Sequence, residues 1–276
     1  LGEISWHQPA TKGEPPSPRS GHTLTVAGDR IVLFGGCGIT GDGQPSVMNE
    51  TWLLSTQEPM KWELADVMGD VPSPRWRHSA TLLPDKTSVL VFGGLCKGKR
   101  FNDTHVFSSD KNEWNIKESA GTPPHPRSHH TASLVHFEAE DELSMPKDKV
   151  FVIGGYGGPG TCRDFYMDVH ILELDTWSWT KVGDMRGTVP KPRSDHCVCV
   201  SGHKLILSGG RGWSHSKTET GFFNDTHCLD VKTMEWTTPP GYNPDDEKPV
   251  WWPSLPTTLW NHMAIAIESV PSDKLF

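Results

Sequence analysis

Histidine is the residue type in this chain whose placement most invites chemistry. His22, His78, His130 and His196 each stand three residues after an arginine: Arg19, Arg75, Arg127 and Arg193. His262 extends the series, with Leu259 in the arginine position. Imidazole is the commonest metal ligand and the side chain that titrates nearest neutrality. A ring of five invites a metal reading. Their regularity argues otherwise, because a residue at one place in every unit does one job in every unit. A histidine one strand in from a turn can satisfy backbone groups of its own or the neighbouring unit. The expectation is therefore no metal and no cofactor. The repeated arginines read likewise, as hydrogen-bonding groups between units.

The other reactive types are no more organised. The six cysteines, Cys37, Cys96, Cys162, Cys197, Cys199 and Cys228, show no zinc-ligand spacing. Cys197 and Cys199 share one face of a strand. Reduced thiols in a reducing compartment are the default for a domain of this size. No Gly-x-Ser-x-Gly elbow, phosphate-binding glycine loop or His-Glu-x-x-His is present. Three Asn-x-Thr sequons begin at Asn49, Asn102 and Asn224. They fall at the same place in successive units, which favours a turn role over glycosylation.

The elements that must carry these residues are strands. Ile31–Phe34 is a short apolar run ending in Gly35-Gly36, and the pattern recurs at Gly93-Gly94, Gly154-Gly155 and Gly209-Gly210. The intervals between first glycines are 58, 61 and 55 residues. Runs this short are strand-length, and a fixed period near this value marks a repeat architecture. Upstream of each run lies Pro-x-Pro-Arg-x-x-His. Downstream lies Asn-Asp/Glu-Thr, replaced in the third copy by Met167-Asp168-Val169. Each unit closes on a tryptophan: Trp62, Trp114, Trp179 and Trp236. The unit thus holds four strands.

This order of motifs resembles the kelch repeat, whose units are the blades of a β-propeller. The resemblance covers essentially the whole chain and implies an all-β fold of four-stranded antiparallel blades. Four blades run from Arg19 to Trp62, Arg75 to Trp114, Arg127 to Trp179 and Arg193 to Trp236. Ile4-Ser5-Trp6 matches a fourth strand with no unit before it, and is expected to close the last blade. Half of a fifth blade opens at Leu259. The expected domain is one propeller over residues 1–276, incomplete at its C-terminus, from a longer parent of six or five blades. Between the first two strands of blade three, residues 138–149 are expected to form an exposed acidic loop.

Composition sets outer limits. The chain has 276 residues, 12 tryptophans, a net charge of −8 and a pI near 5.9. No basic stripe is present, so nucleic acid is not an expected partner. No run approaches eighteen apolar residues, so no membrane helix is expected. A cytoplasmic location, with the nucleus as the other possibility, follows from the reduced cysteines.

Function should lie where the units differ. By resemblance, the loops after each Gly-Gly and those beside Pro-Arg-x-x-His share one rim. The post-glycine loops hold six bases and three acids, a net of +3. The expected ligand site is Lys97, Arg100, Tyr156, Arg163, Arg211 and Trp213, with Arg77, Ser128, His129 and Ser194. Arginine and aromatics together suit protein recognition, and the charge suits an acidic segment or a free C-terminal carboxylate. Other kelch groups carry an iron cluster or a copper site with a cysteine–tyrosine pair. The iron pattern is absent here, and Cys162 near Tyr166 alone is weak support for the second. No enzymatic activity is expected. By resemblance, the leading function is a protein- or peptide-recognition module, the substrate receptor of a ubiquitin ligase whose other segments lie outside this chain. The alternatives are a cytoskeletal or ciliary scaffold, and a regulatory propeller fused to an enzyme domain.

Overall fold

A computed structural model describes residues 8–39, 43–139, 146–159, 163–213 and 219–238. These residues form strands and turns, with no helix among them. Each repeat is a four-stranded antiparallel sheet in chain order. The first holds Thr23–Ala27, Arg30–Phe34, Thr51–Ser55 and Trp62–Leu64. The second holds Ser79–Leu82, Ser88–Phe92, Thr104–Ser108 and Glu113–Ile116. The third holds Thr131–Phe137, Lys147–Gly157, Asp164–Glu173 and Ser178–Lys181. The fourth holds Cys197–Ser201, Lys204–Ser208, Thr226–Asp230 and Glu235–Thr237. The proposed closing strand at residues 4–6 and the half-blade from Leu259 lie outside the described residues.

The chain divides into two compact units. One comprises Leu1–Val91 with His105–Ile116, and the other Phe92–Thr104 with Lys117–Phe276. Strand alternation builds the core of each, since successive side chains take opposite faces. In the first unit Val32, Phe34, Leu53, Val89, Val91, Phe107 and Trp114 bury together, and Ala80 and Leu82 of the second repeat's first strand pack against them. Trp114 lies 4.6 Å from the Phe34 ring and donates its indole N–H to Thr51 Oγ1 at 3.0 Å. The closing tryptophan of one repeat therefore seals the preceding one. In the second unit Phe151, Ile153, Val169, Leu205, Leu207, Leu229 and Trp236 form the core, with Val198 and Val200 packed on it. Each fully buried large apolar side chain contributes roughly 2–3 kcal/mol.

In the first two repeats the Gly-Gly pair ends a strand because the next repeat comes too close for a side chain; in the third the strand runs on through Gly154-Gly155 to Gly157, with a bulge between Ile153 and Gly155. Gly35 and Gly36 have φ of +65° and +104°. A Cβ on Gly35 would meet His78 Cε1 at 3.0 Å and the Arg75 carbonyl oxygen at 2.5 Å. The second glycine's N–H donates to the following repeat's arginine carbonyl: Gly36 to Arg75, Gly94 to Arg127 and Gly155 to Arg193, at 2.8–2.9 Å. Two of the three sequon asparagines bond carbonyls of the segment leading into the next repeat. Asn49 Nδ2 donates to Pro72 O and Asn102 Nδ2 to Pro124 O, both at 3.3 Å. The third repeat has Met167 instead, and its third strand runs unbroken for ten residues.

Two features depart from the expected unit. A fifth, parallel strand lines the outer edge of three sheets: Met68–Gly69 beside Glu113 and Trp114, Ala120–Gly121 beside Ser178 and Trp179, and Arg186–Gly187 beside Glu235 and Trp236. A Lys12–Lys61 bridge makes the same contact in the first repeat. The segment entering each repeat thus covers that repeat's own edge, which blunts an otherwise unpaired strand. The insertion in repeat three is shorter as a loop than expected. Lys147 and Lys149 belong to a strand, pairing with Phe137 and Val135, while residues 140–145 lie outside the described set.

Candidate functional site

The repeated polar residues form frameworks within each repeat. Pro-x-Pro-Arg places the arginine so that its Nε donates to the carbonyl two residues back, in all four copies, at 3.0–3.1 Å. Arg127 then grips Asp168 with both terminal nitrogens, at 2.7 and 2.9 Å, and bonds Gly154 O at 2.8 Å. Arg193 grips Asp225 in the same bidentate way and bonds Gly209 O. Arg19 pairs with Glu50 at 2.8 Å. This corrects the expectation of arginine side chains bridging units. The guanidinium groups of Arg19, Arg127 and Arg193 bond their own repeat, and the arginine backbone reaches the neighbour: its carbonyl accepts from the preceding repeat's second glycine, and the amides of Arg75, Arg127 and Arg193 donate to Met48 O, Phe101 O and Tyr166 O. The reason is register: the acid of Asn-Asp/Glu-Thr sits directly across from the glycine pair.

A second histidine set completes these pairs. His170 Nε2 lies 3.0 Å from Asp168 Oδ2 and its Nδ1 3.1 Å from Thr122 O. His227 repeats this with Asp225 and Thr188. Burial pushes the Asp168 and Asp225 carboxyls up, but hydrogen bonds from arginine and histidine outweigh it and hold both well below the usual carboxylate range.

The Pro-Arg-x-x-His histidines take structural partners. His78 Nε2 is 3.0 Å from Thr23 Oγ1, and His196 Nε2 is 3.2 Å from Thr131 Oγ1. His78 and His130 meet Phe34 and Phe92 edge-on, at 5.3 and 5.4 Å. Among the described residues, no three His, Cys, Asp or Glu side chains gather as a metal site requires. Burial, then the charges of Arg75 and His22, lower the His78 pKa to about 3. The unfolded chain takes up this proton near pH 6.5, the folded chain only near pH 3. His78 therefore stabilises fully above pH 6.5, and that stability is lost as pH falls towards 3. Urea unfolding is expected to show wild-type stability falling faster than that of His78→Gln between pH 6 and 4, by about 1.4 kcal/mol per pH unit. Equal slopes would refute a buried, neutral His78.

Variation begins one residue before each histidine. Gly21, Arg77, His129 and Asp195 occupy that place, and all four have positive φ, from +55° to +65°. A non-glycine residue costs about 1–2 kcal/mol in this region, yet three copies place a long or charged side chain there. Such outliers cluster at functional positions.

Nine of the ten expected site residues belong to the second compact unit, where contacts link eight of them, in two sets that Ser128 Oγ joins by reaching Tyr156 O at 3.5 Å. Arg100 Nε donates to Tyr156 O at 3.1 Å, and its guanidinium lies 4.9 Å above the Tyr156 ring. Arg163 Nη2 donates to Gly98 O at 3.2 Å, beside exposed Lys97. Tyr156 packs on Phe165 at 4.8 Å. Trp213 meets Phe165 edge-on at 5.2 Å and donates its indole N–H to Asp164 at 2.6 Å. Ser128 and Ser194 are fully buried, so they hold neighbours in place. Ser128 Oγ lies 2.8 Å from His129 Nδ1, and Ser194 Oγ donates to Asp195 Oδ2 at 2.7 Å. Arg211 Nε donates to the same Asp195 oxygen at 3.1 Å, and His129 Nε2 stands 3.8 Å from the other. Arg77 lies in the first compact unit. Its amide donates to Gly21 O at 2.7 Å and its guanidinium sits 5.7 Å from the Trp76 ring.

A profile described as the KLHDC2/KLHL20/DRC7 Kelch-repeats domain matches residues 1–138 and 38–251. The chain belongs to the kelch-repeat family. Its blades are those of a kelch β-propeller, and kelch repeats are a protein-interaction module. The dynein alpha chain of the flagellar outer arm from Chlamydomonas reinhardtii is 36% identical over 283 residues, covering 99% of this chain and 6% of that protein. Human host cell factor 2 is 30% identical over 74% of this chain and 27% of its own length. Acyl-CoA-binding domain-containing protein 5 of Arabidopsis thaliana is 31% identical over 84% of the chain and 33% of its length. This kelch chain therefore spans a third or less of the length of these relatives.

Sequence reasoning about the candidate site missed two acids and one aromatic. Asp195 organises Ser194, Arg211 and His129, and Asp164 with Phe165 seats Trp213. A signal for Asp195 was present: it occupies the variable place before the repeat histidine. Asp164 and Phe165 had none, since their roles depend on which loops meet. The five cysteines within the described residues are free thiols.

Proposed function

We propose that this kelch chain docks a partner protein within a flagellar or ciliary dynein-type assembly, gripping an acidic or C-terminal segment on the rim of its second compact unit. The observation that carries the reading is a set of oriented arginines: Arg100 over the Tyr156 ring, Arg163 on Gly98 O, and Arg211 held through Nε by Asp195. An arginine so held offers a preorganised fork, and carboxylates bind such forks by paired, charge-assisted hydrogen bonds. Similarity over 99% of the chain to a flagellar dynein chain supports the setting. The same rim chemistry supports a second reading, the substrate receptor of a ubiquitin ligase assembled through segments outside these residues. Both readings place the protein in the cytoplasm or its ciliary extension, and both are binding rather than catalysis.

The test is fluorescence anisotropy with C-terminal peptides of flagellar proteins, each made with a free and an amidated C-terminus. Free-acid or acidic peptides are expected to bind best. Arg211→Ala should weaken them about 30-fold, the scale of a hot-spot residue near 2 kcal/mol, with an unchanged melting temperature. Equal binding by wild type and variant would move the site off this rim. Selective capture of ubiquitin-ligase subunits by the full-length protein would favour the second reading.

A further inference from the structure

The hairpin of Leu95–Cys96 with Lys99–Arg100 turns through two residues, Lys97 and Gly98, both at positive φ, +46° and +85°. Two-residue hairpin turns of this kind favour asparagine or glycine at the first place. Lysine there breaks a local rule, and such breaks concentrate where function demands them. The turn carries Lys97, Lys99 and Arg100. A fourth cation is fastened to it, because Arg163 bonds the Gly98 carbonyl at 3.2 Å. Arg100 is fixed by the Tyr156 carbonyl and ring. The two guanidinia stand close enough that burial, then the Arg163 charge, lower the Arg100 pKa. Four cationic side chains thus gather at one hairpin tip.

We propose that this hairpin tip, with Arg163, is a phosphoryl-binding site that takes a phosphorylated side chain of the partner peptide. The proposal rests on the rim reading above and specifies its ligand. A lone carboxylate brings one charge and two oxygens. A phosphoryl group brings nearly two charges and three acceptor oxygens, enough to engage both forks and a lysine together. Recognition of phospho-motifs by arginine clusters is a recurrent mode of peptide binding. Arg211 lies outside this group, with its Nε on Asp195.

The experiment uses the full chain and degenerate peptide libraries that differ only at one fixed central residue: phosphoserine, glutamate or serine. Affinities are read by fluorescence anisotropy, with inorganic phosphate and acetate as competitors. Phosphoserine is expected to bind at least tenfold more tightly than glutamate, and phosphate to compete where acetate does not. Arg100→Ala and Arg163→Ala should each cost tenfold or more. Lys97→Gly is a diagnostic variant: it relieves the turn, so melting temperature should hold or rise while phosphopeptide affinity falls several-fold. Phosphoserine binding no better than glutamate, or insensitivity to both arginine variants, overturns the proposal. If free-acid peptides still bind Arg100→Ala and Arg163→Ala normally but lose affinity for Arg211→Ala, the rim reading stands and the phosphoryl site falls. Loss of all peptide binding in wild type fails both.

Discussion

Arg127→Ala is expected to lower the unfolding free energy by about 3–5 kcal/mol, because it strands a mostly buried carboxylate. Arg127 is fully buried, and Asp168 keeps 15% side-chain exposure. The arginine supplies two charge-assisted bonds to Asp168, one to Gly154 O and one to His125 O. It also sits 4.5 Å over the Tyr166 ring, so packing is lost along with charge. Asp168→Ala should cost a similar amount by leaving the guanidinium unmatched. Arg127→Met with Asp168→Leu should recover much of the loss, since two apolar groups leave no charge to desolvate. If the double variant is as unstable as the sum of the singles, the pair contributes by more than charge matching. The carboxyl pKa is depressed in the fold, so its stabilisation is present above the unfolded value near pH 4 and is lost as pH falls below it. Stability of Asp168→Asn should accordingly show a shallower acid slope below pH 4, in urea titrations, than wild type.

Gly121→Ala should be as damaging without altering any charge. Gly121 has a φ of +81°, and a Cβ there would lie 2.1 Å from the Trp179 carbonyl oxygen. Backbone cannot yield as a flexible side chain would. The left-handed cost of about 1–2 kcal/mol adds to an overpacking cost of about 1–3 kcal/mol, for a total near 2–5 kcal/mol. Gly69 and Gly187 meet Trp114 and Trp236 in the same way, at 2.1 and 2.0 Å, and their alanine variants should behave alike. Gly183, which a Cβ would crowd nowhere, is the control. Substituting it should shift the urea midpoint little. A harmless Gly121→Ala would mean that the fifth strand is dispensable.

The repeated short-range signals were legible because each has one local cause. Apolar runs ending in Gly-Gly become the second strand of every repeat, since only glycine tolerates the approach of the next repeat's histidine. Thr51, Thr104 and Thr226 open third strands because the asparagine before them turns the chain. The tryptophans Trp114, Trp179 and Trp236 bury as an alternating strand requires.

The pairing of groups across strands was decided by tertiary structure. Arg127 and Asp168 are 41 residues apart, and nothing in either motif states that the side chain stays within its repeat while the carbonyl leaves it. His170 and His227 became partners of those acids because strand alternation puts residues two apart on one face. Gly69, Gly121 and Gly187 are required because a parallel edge strand brings a tryptophan carbonyl against each of them. Asp195 acquired its role from Arg211, 16 residues away across a bridge between two loops. The sequence by itself determined the all-β repeat, its strand ends and its recurring residues, which answer to backbone sterics and side-chain alternation. Only the tertiary structure decided which charges neutralise one another, because that depends on register and loop approach, set by packing over distances that no local pattern encodes.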